Sequence, residues 1–250
     1  MFGSSNPGDE ELRFLARLSQ VTRRRTFIQW SGVTIAAVAA GCSADEPLQP
    51  SGRAPLGPGG TGSSTDPVNL GSGDVLVLNF AYALEQLEAA FYSQVISTPY
   101  SGISDEEMQI LDDVRKHELI HRDFFKEALD SLNAAIPALE VDFTSVDFTS
   151  RQSVLETART FEDLGVSAYN GAGKYLENLD YLLVAGKIVS VEARHAAAIR
   201  DLLNPKSGDF AGDDVVDAQG LDVVNTPADV FAAADPFIVT EIDTGNLPTT

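Results

Sequence analysis

Cysteine is all but missing from this 250-residue chain, Cys42 being the only one. A single cysteine closes no disulfide within the chain, so a disulfide framework is excluded. Histidine is scarce as well: His117, His121 and His195 are the three. Basic residues are few, with 17 Lys and Arg against 37 Asp and Glu and a formal net charge of −20. A nucleic-acid partner is excluded on that balance, since a polyanion would be repelled. The plain reading of the acidity is a solvated surface; the sharper one is attraction of divalent cations. Long apolar runs are lacking too. The stretch from Val33 to Ala40 falls well short of the roughly 20 residues that span a bilayer.

What precedes and follows that stretch gives it a meaning. In "TRRRTFIQW", Arg24, Arg25, Phe27 and Ile28 resemble the paired arginines and apolar pair of a twin-arginine export signal. Ala39, Ala40, Gly41 and Cys42 resemble a lipobox, after which Cys42 would be acylated and become the mature N-terminus. A short uncleaved anchor is the alternative; both put the domain outside the cytoplasm, and the lipobox reading makes it a membrane-tethered lipoprotein of the periplasm or cell envelope. Removing residues 1–41 leaves 12 basic and 34 acidic groups, a net charge of −22. Residues 42–73 are rich in Gly, Pro and Ser and read as a flexible tether, about 30 Å in average reach. Residues 74–203 carry the folded domain, and 204–250 a C-terminal extension.

The stretch "HELIH" at 117–121 matches HExxH, the helical zinc-protease signature in which two histidines bind zinc and the glutamate is general base. That site needs a third ligand. The remaining histidine sits in "VEARH", where Val191 stands in the place of His117, so the shared unit is Glu-x-x-His. The rest of a repeat is present. Glu85 precedes Tyr92 by seven residues in "EQLEAAFY", and Glu162 precedes Tyr169 by seven in "EDLGVSAY". The order along the chain is Glu85, Glu118 with His121, Glu162, Glu192 with His195. The second glutamate follows the first by 33 positions in one half and by 30 in the other.

Apolar periodicity predicts helices at about 74–96, 104–131, 151–175 and 180–203. Ser104 followed by Glu107 resembles a capping box, and Asn204-Pro205 ends the fourth helix. Short loops within each pair make the partners antiparallel, while residues 132–150 are long enough to cross the bundle. The duplicated "DFTS" in that connection reads as a loop repeat in preference to a strand pair. Seven residues are close to two turns, so each repeat glutamate interrupts an apolar stripe. The stripes are Leu78-Glu85-Tyr92, Leu111-Glu118-Phe125, Leu155-Glu162-Tyr169 and Ala185-Glu192-Ile199. Four carboxylates then meet at one height in an apolar core, costing several kcal/mol each unless neutralised. Two divalent ions supply the four positive charges, with His121 and His195 as neutral donors. Oxygen-rich ligation with two imidazoles suits iron or manganese.

"LEQLEAAFY", "HELIHRDFF", "YNGAG", "VEARHAAAIR" and "TPADVFAAADPFI" together resemble the ferritin-like family that includes plant desiccation-related proteins and many exported bacterial proteins. The resemblance covers about residues 74–238. It implies an all-α, ferritin-like four-helix bundle with one long crossover between helices two and three. It also implies metal-ligand roles for Glu85, Glu118, His121, Glu162, Glu192 and His195.

Other features take plainer readings. His117 is expected on the helix surface or behind a ligand, and Glu88 is read as a solvated neighbour, with reach to the site left open. Tyr92 and Tyr169 are core aromatics with hydroxyls able to bond a ligand carboxylate. "NGAGK" at 170–174 fails as a phosphate loop, because it lies in a helical pattern and not after a strand. The expected function is an exported protein with a dinuclear iron or manganese centre acting on O2 or peroxide, as ferroxidase or peroxide remover. The alternatives are a non-catalytic desiccation or stress bundle and, third, a zinc protease. The oligomeric state is open, though a lipid and long tether sit poorly with a closed 24-subunit cage.

Overall fold

The computed structural model describes residues 66–250. The expected export signal, Cys42 and the linker up to residue 65 lie outside the described residues. The rest is the expected all-α bundle with one crossover: α1 Gly73–Ser97, α2 Asp105–Ser131, α3 Arg151–Ala172 and α4 Leu179–Leu203, then a short α5 Pro227–Ala234. Two-residue strands β1 Val68–Asn69 and β2 Ile242–Asp243 pair in parallel. No helix among the described residues is long and apolar enough to cross a membrane.

The helix starts follow capping chemistry. Ser104, Ser150, Asn178 and Thr226 each accept a bond from a backbone N–H of the first turn, satisfying a donor that has no helical partner. Ser104 Oγ takes the Glu107 N–H at 3.1 Å, but the Glu107 carboxylate turns instead to Arg151 at 2.6 Å, so only half of the capping box forms. Helix α3 stops at Ala172 and tightens into a 3-10 turn, Gly173–Tyr175, where a full helix to 175 was expected. Gly171 and Gly173 weaken the helix there. Gly171 has a further reason: a Cβ would lie 1.8 Å from the Asn225 carbonyl oxygen, which docks the C-terminal extension on α3.

Helix α1 is buried on nearly every side, as its almost unbroken apolar sequence requires. Its outer face carries two polar handles seven residues apart. Asn79 donates to Ala134 O at 2.9 Å and accepts from Ile136 N at 3.1 Å; Gln86 accepts from Leu139 N at 2.9 Å. The crossover therefore runs beside α1 along the bundle and delivers the chain to the start of α3. Its two "DFTS" copies are loop turns, with Asp142 and Asp147 accepting the backbone N–H of Thr144 and Thr149, while Phe143 and Phe148 pack on Phe91. The C-terminal extension packs on the bundle and on the crossover, where Val141 and Ile238 form an antiparallel bridge and Phe237 meets Phe143. Phe231 meets Phe80 at 5.4 Å between ring centres, and Phe237 meets Phe161 at 4.9 Å. The expected tether ends earlier than residue 73 on this side: Val68 and Asn69 are held by β2, and Leu70 is fully buried.

Candidate metal centre

Each stripe glutamate reaches the centre of the bundle because an apolar residue lies two turns above and below it, fixing that helix face inward. Glu85, Glu118, Glu162 and Glu192 are at most 1% exposed. His121 and His195, one turn beyond Glu118 and Glu192, are buried beside them. All six residues picked out by the repeat converge, and they fall into two groups of four: Glu85, Glu118, His121 and Glu192, and Glu118, Glu162, Glu192 and His195. Within each group the candidate donor atoms lie within 4.8 Å of one another.

Glu118 and Glu192 belong to both groups and offer one oxygen to each. His121 Nδ1 faces Glu192 Oε1 at 2.9 Å, Glu85 Oε2 at 3.5 Å and Glu118 Oε2 at 3.6 Å. His195 Nδ1 faces Glu118 Oε1 at 2.8 Å, Glu162 Oε2 at 3.4 Å and Glu192 Oε2 at 3.7 Å. None of these approaches makes a hydrogen bond. Eight of the ten buried side-chain atoms left without a hydrogen-bond partner among the described residues are these same atoms. Buried polar atoms are rarely left unpaired. Atoms that crowd together without bonding one another are aimed at a point between them, which is what ligation of a cation requires.

The outer oxygens of the unshared carboxylates are held by tyrosines, crosswise. Tyr92 on α1 donates to Glu162 Oε1 on α3 at 2.5 Å, and Tyr169 on α3 donates to Glu85 Oε1 on α1 at 2.5 Å. Burial and the adjacent carboxylates push both phenols well above their usual pKa, so they remain donors. The inner oxygens of Glu85 and Glu162 are thereby left facing the centre.

The electrostatics reflect charges crowded in low dielectric. Burial raises the pKa of Glu85 and Glu118, and burial carries Glu162 up to about 7 against the pull of His195. Burial would raise Glu192 too, yet the two histidines hold it down at about 2. Burial alone would lower His121, but Glu118, Glu192 and Glu85 raise it to about 12. His195 is raised in the same way.

Two neighbours complete the picture. His117 falls outside both donor groups. It is exposed, its ring stacks on that of His195, and its Nδ1 pairs with His195 Nε2 at 2.9 Å, so it stands behind a candidate ligand. Pairing at Nε2 leaves His195 Nδ1 free to face the carboxylates. Glu88 corrects its sequence reading, because it is 4% exposed and not solvated. Burial and the charges of the four stripe glutamates raise its pKa well above the ordinary value. Its carboxyl occupies space left by Gly165 in α3, where a Cβ would come 3.2 Å from Glu88 Oε1 and 3.7 Å from Glu192 Oε2. A glycine inside a helical pattern was the available signal for that close approach.

A four-helix bundle of two antiparallel pairs joined by a crossover, with a carboxylate and histidine cluster spanning its helices, defines the class. The family described as ferritin-like domain matches residues 73–205, just over half of the chain. The chain belongs to that family. No curated protein matches it.

Proposed function

We propose that the bundle holds a dinuclear iron or manganese centre and that the protein is an exported, membrane-tethered redox protein acting on O2 or peroxide. The observation that carries this reading is the set of eight buried donor atoms, in two groups of four, that crowd together without a hydrogen-bond partner. Glu85 Oε2, Glu118 Oε2, Glu192 Oε1 and His121 Nδ1 would hold one ion; Glu118 Oε1, Glu162 Oε2, Glu192 Oε2 and His195 Nδ1 would hold the other. Six oxygens and two imidazole nitrogens favour iron or manganese over a thiolate-seeking metal. Four carboxylates balance two divalent charges, removing the cost of ionised groups in an apolar core. Such a pair of ions supplies two electrons, enough to reduce O2 to hydrogen peroxide, or peroxide to water, with two protons taken up. The chain's own part is to fix the donors: Tyr92 and Tyr169 hold the outer oxygens, and His117 holds the His195 ring.

Export rests on Arg24 and Arg25, and anchorage on acylation of Cys42, both read from the sequence. The twin-arginine route carries folded proteins, so metal would enter before export. Metal analysis of the anaerobically purified chain, followed by oxidation of the loaded protein with O2 and with peroxide, is the test. Two Fe or Mn per chain with oxidation supports the redox reading. No bound metal favours the non-catalytic stress bundle, and one zinc revives the protease, which the outward turn of His117 disfavours.

A further inference from the structure

The glutamate layer has unequal neighbours along the bundle axis. Two turns to one side, the stripes carry Tyr92, Leu111, Leu155 and Ile199, all fully buried, and the core is closed. Two turns to the other side, the same stripes carry Leu78, Phe125, Tyr169 and Ala185, and all four line a cavity of about 30 Å³ that is partly open to solvent where Tyr169 and Ala185 are half-buried. Small side chains make the hollow. On α4 the stripe has Ala185 where the closed side has Ile199, and Ala81 and Ala168 thin the opposing walls.

The lining is apolar except for Tyr169 and Tyr181; the Tyr169 hydroxyl is committed to Glu85, and almost no polar surface faces the hollow. A water needs about 10–15 Å³ and two to four polar partners. Here there is room but no partner. A molecule with hydroxyl donors, such as hydrogen peroxide, would lose its hydrogen bonds on entering and gain none. Dioxygen has no donor and no charge, so it enters without that loss. Position adds to the chemistry: Leu84 adjoins Glu85 in sequence, Phe125 lies one turn beyond His121, and both are in the wall.

We infer that this cavity is a docking site for dioxygen, placed against the Glu85 and His121 side of the centre. The inference rests on the redox reading and narrows its oxidant from O2 or peroxide to O2. Docking is a binding step in which no bond is made or broken.

The test pairs a physical probe with kinetics. Crystals of the full-length chain are pressurised with xenon, an apolar atom that reports the cavity with or without metal. Xenon is expected between Ala185 and Tyr169, and Ala185→Leu is expected to exclude it. The Fe(II)-loaded parent and A185L are then oxidised by O2 and, separately, by peroxide. In the variant the O2 concentration for half-maximal rate rises by about tenfold, the equivalent of about 1.4 kcal/mol. Its peroxide response and metal content stay as in the parent. Docking is overturned if xenon does not enter the parent cavity, if A185L slows both oxidants alike, or if it slows neither. A metal-loaded chain without xenon overturns docking alone. A chain that takes xenon but no metal overturns the redox reading, and the docking role with it.

Discussion

Removing metal from this protein exposes the cost of its core. With two ions bound, Glu85, Glu118, Glu162 and Glu192 are all compensated; without them, protons must serve. Three of the four, and Glu88 beside them, have folded pKa values above the usual 4.5, chiefly through burial. A raised acid favours the fold while it is protonated, so its contribution is lost as pH climbs from 4.5 through the folded value. For Glu162, whose folded value is about 7, that loss amounts to about 3 kcal/mol at about 1.4 kcal/mol per pH unit. His121 acts in the same direction at higher pH. Its stabilisation is complete below 6.5 and drains away toward about 12. Glu192 acts oppositely, contributing above 4.5 and losing that contribution as pH falls toward about 2. The metal-free chain should therefore be most stable at about pH 5. Metal binding displaces protons and strengthens as pH rises. One ion at a hundred times its Kd adds about 2.7 kcal/mol, or about 5–10 °C in Tm for a domain of this size. Thermal unfolding of metal-free and Mn(II)-loaded protein at about pH 5 and about pH 8 measures this. The metal-induced rise should be larger at the higher pH, and mild acid should partly rescue the metal-free form. Coincident curves with and without metal at both pH values would refute the reasoning.

Three further outcomes follow from the geometry, and a fourth from the N-terminal sequence. Glu118→Ala or Glu192→Ala should empty both ion positions because their carboxylates are shared, whereas Glu85→Ala or Glu162→Ala should leave one ion per chain. His117→Ala should keep both, at about tenfold lower affinity from loss of its hold on His195; loss of all metal from His117→Ala alone, with Glu192→Ala still loaded, would restore the zinc-protease reading. Tyr92→Phe removes the bond to buried Glu162 and should cost about 1.5–3 kcal/mol in denaturant unfolding; an unchanged midpoint would show that the bond is not formed. Arg24→Lys with Arg25→Lys should leave unprocessed precursor in the cytoplasm on fractionation, and normal export of that double variant would exclude the twin-arginine route.

The sequence determined the stripes. Seven-residue spacing is nearly two helical turns whatever the helix packs against, so Glu85, Glu118, Glu162 and Glu192 were fixed on inward faces before any contact was known. The ends of the helices were also local, since Ser104 caps α2 through its own first turn and Asn204 closes α4. Only the tertiary structure decided which atoms share a neighbour. The shared position of Glu118 and Glu192, and the crosswise bonds of Tyr92 and Tyr169, depend on how the four helices are rotated and packed against one another, which a common height read from the repeat does not specify. Glu88 and His117 show the same limit. Glu88 lies one turn after Glu85 and His117 directly before Glu118, and what decides their fates is what packs opposite: Gly165 of α3 opens buried space for one, and the surface beside His195 receives the other.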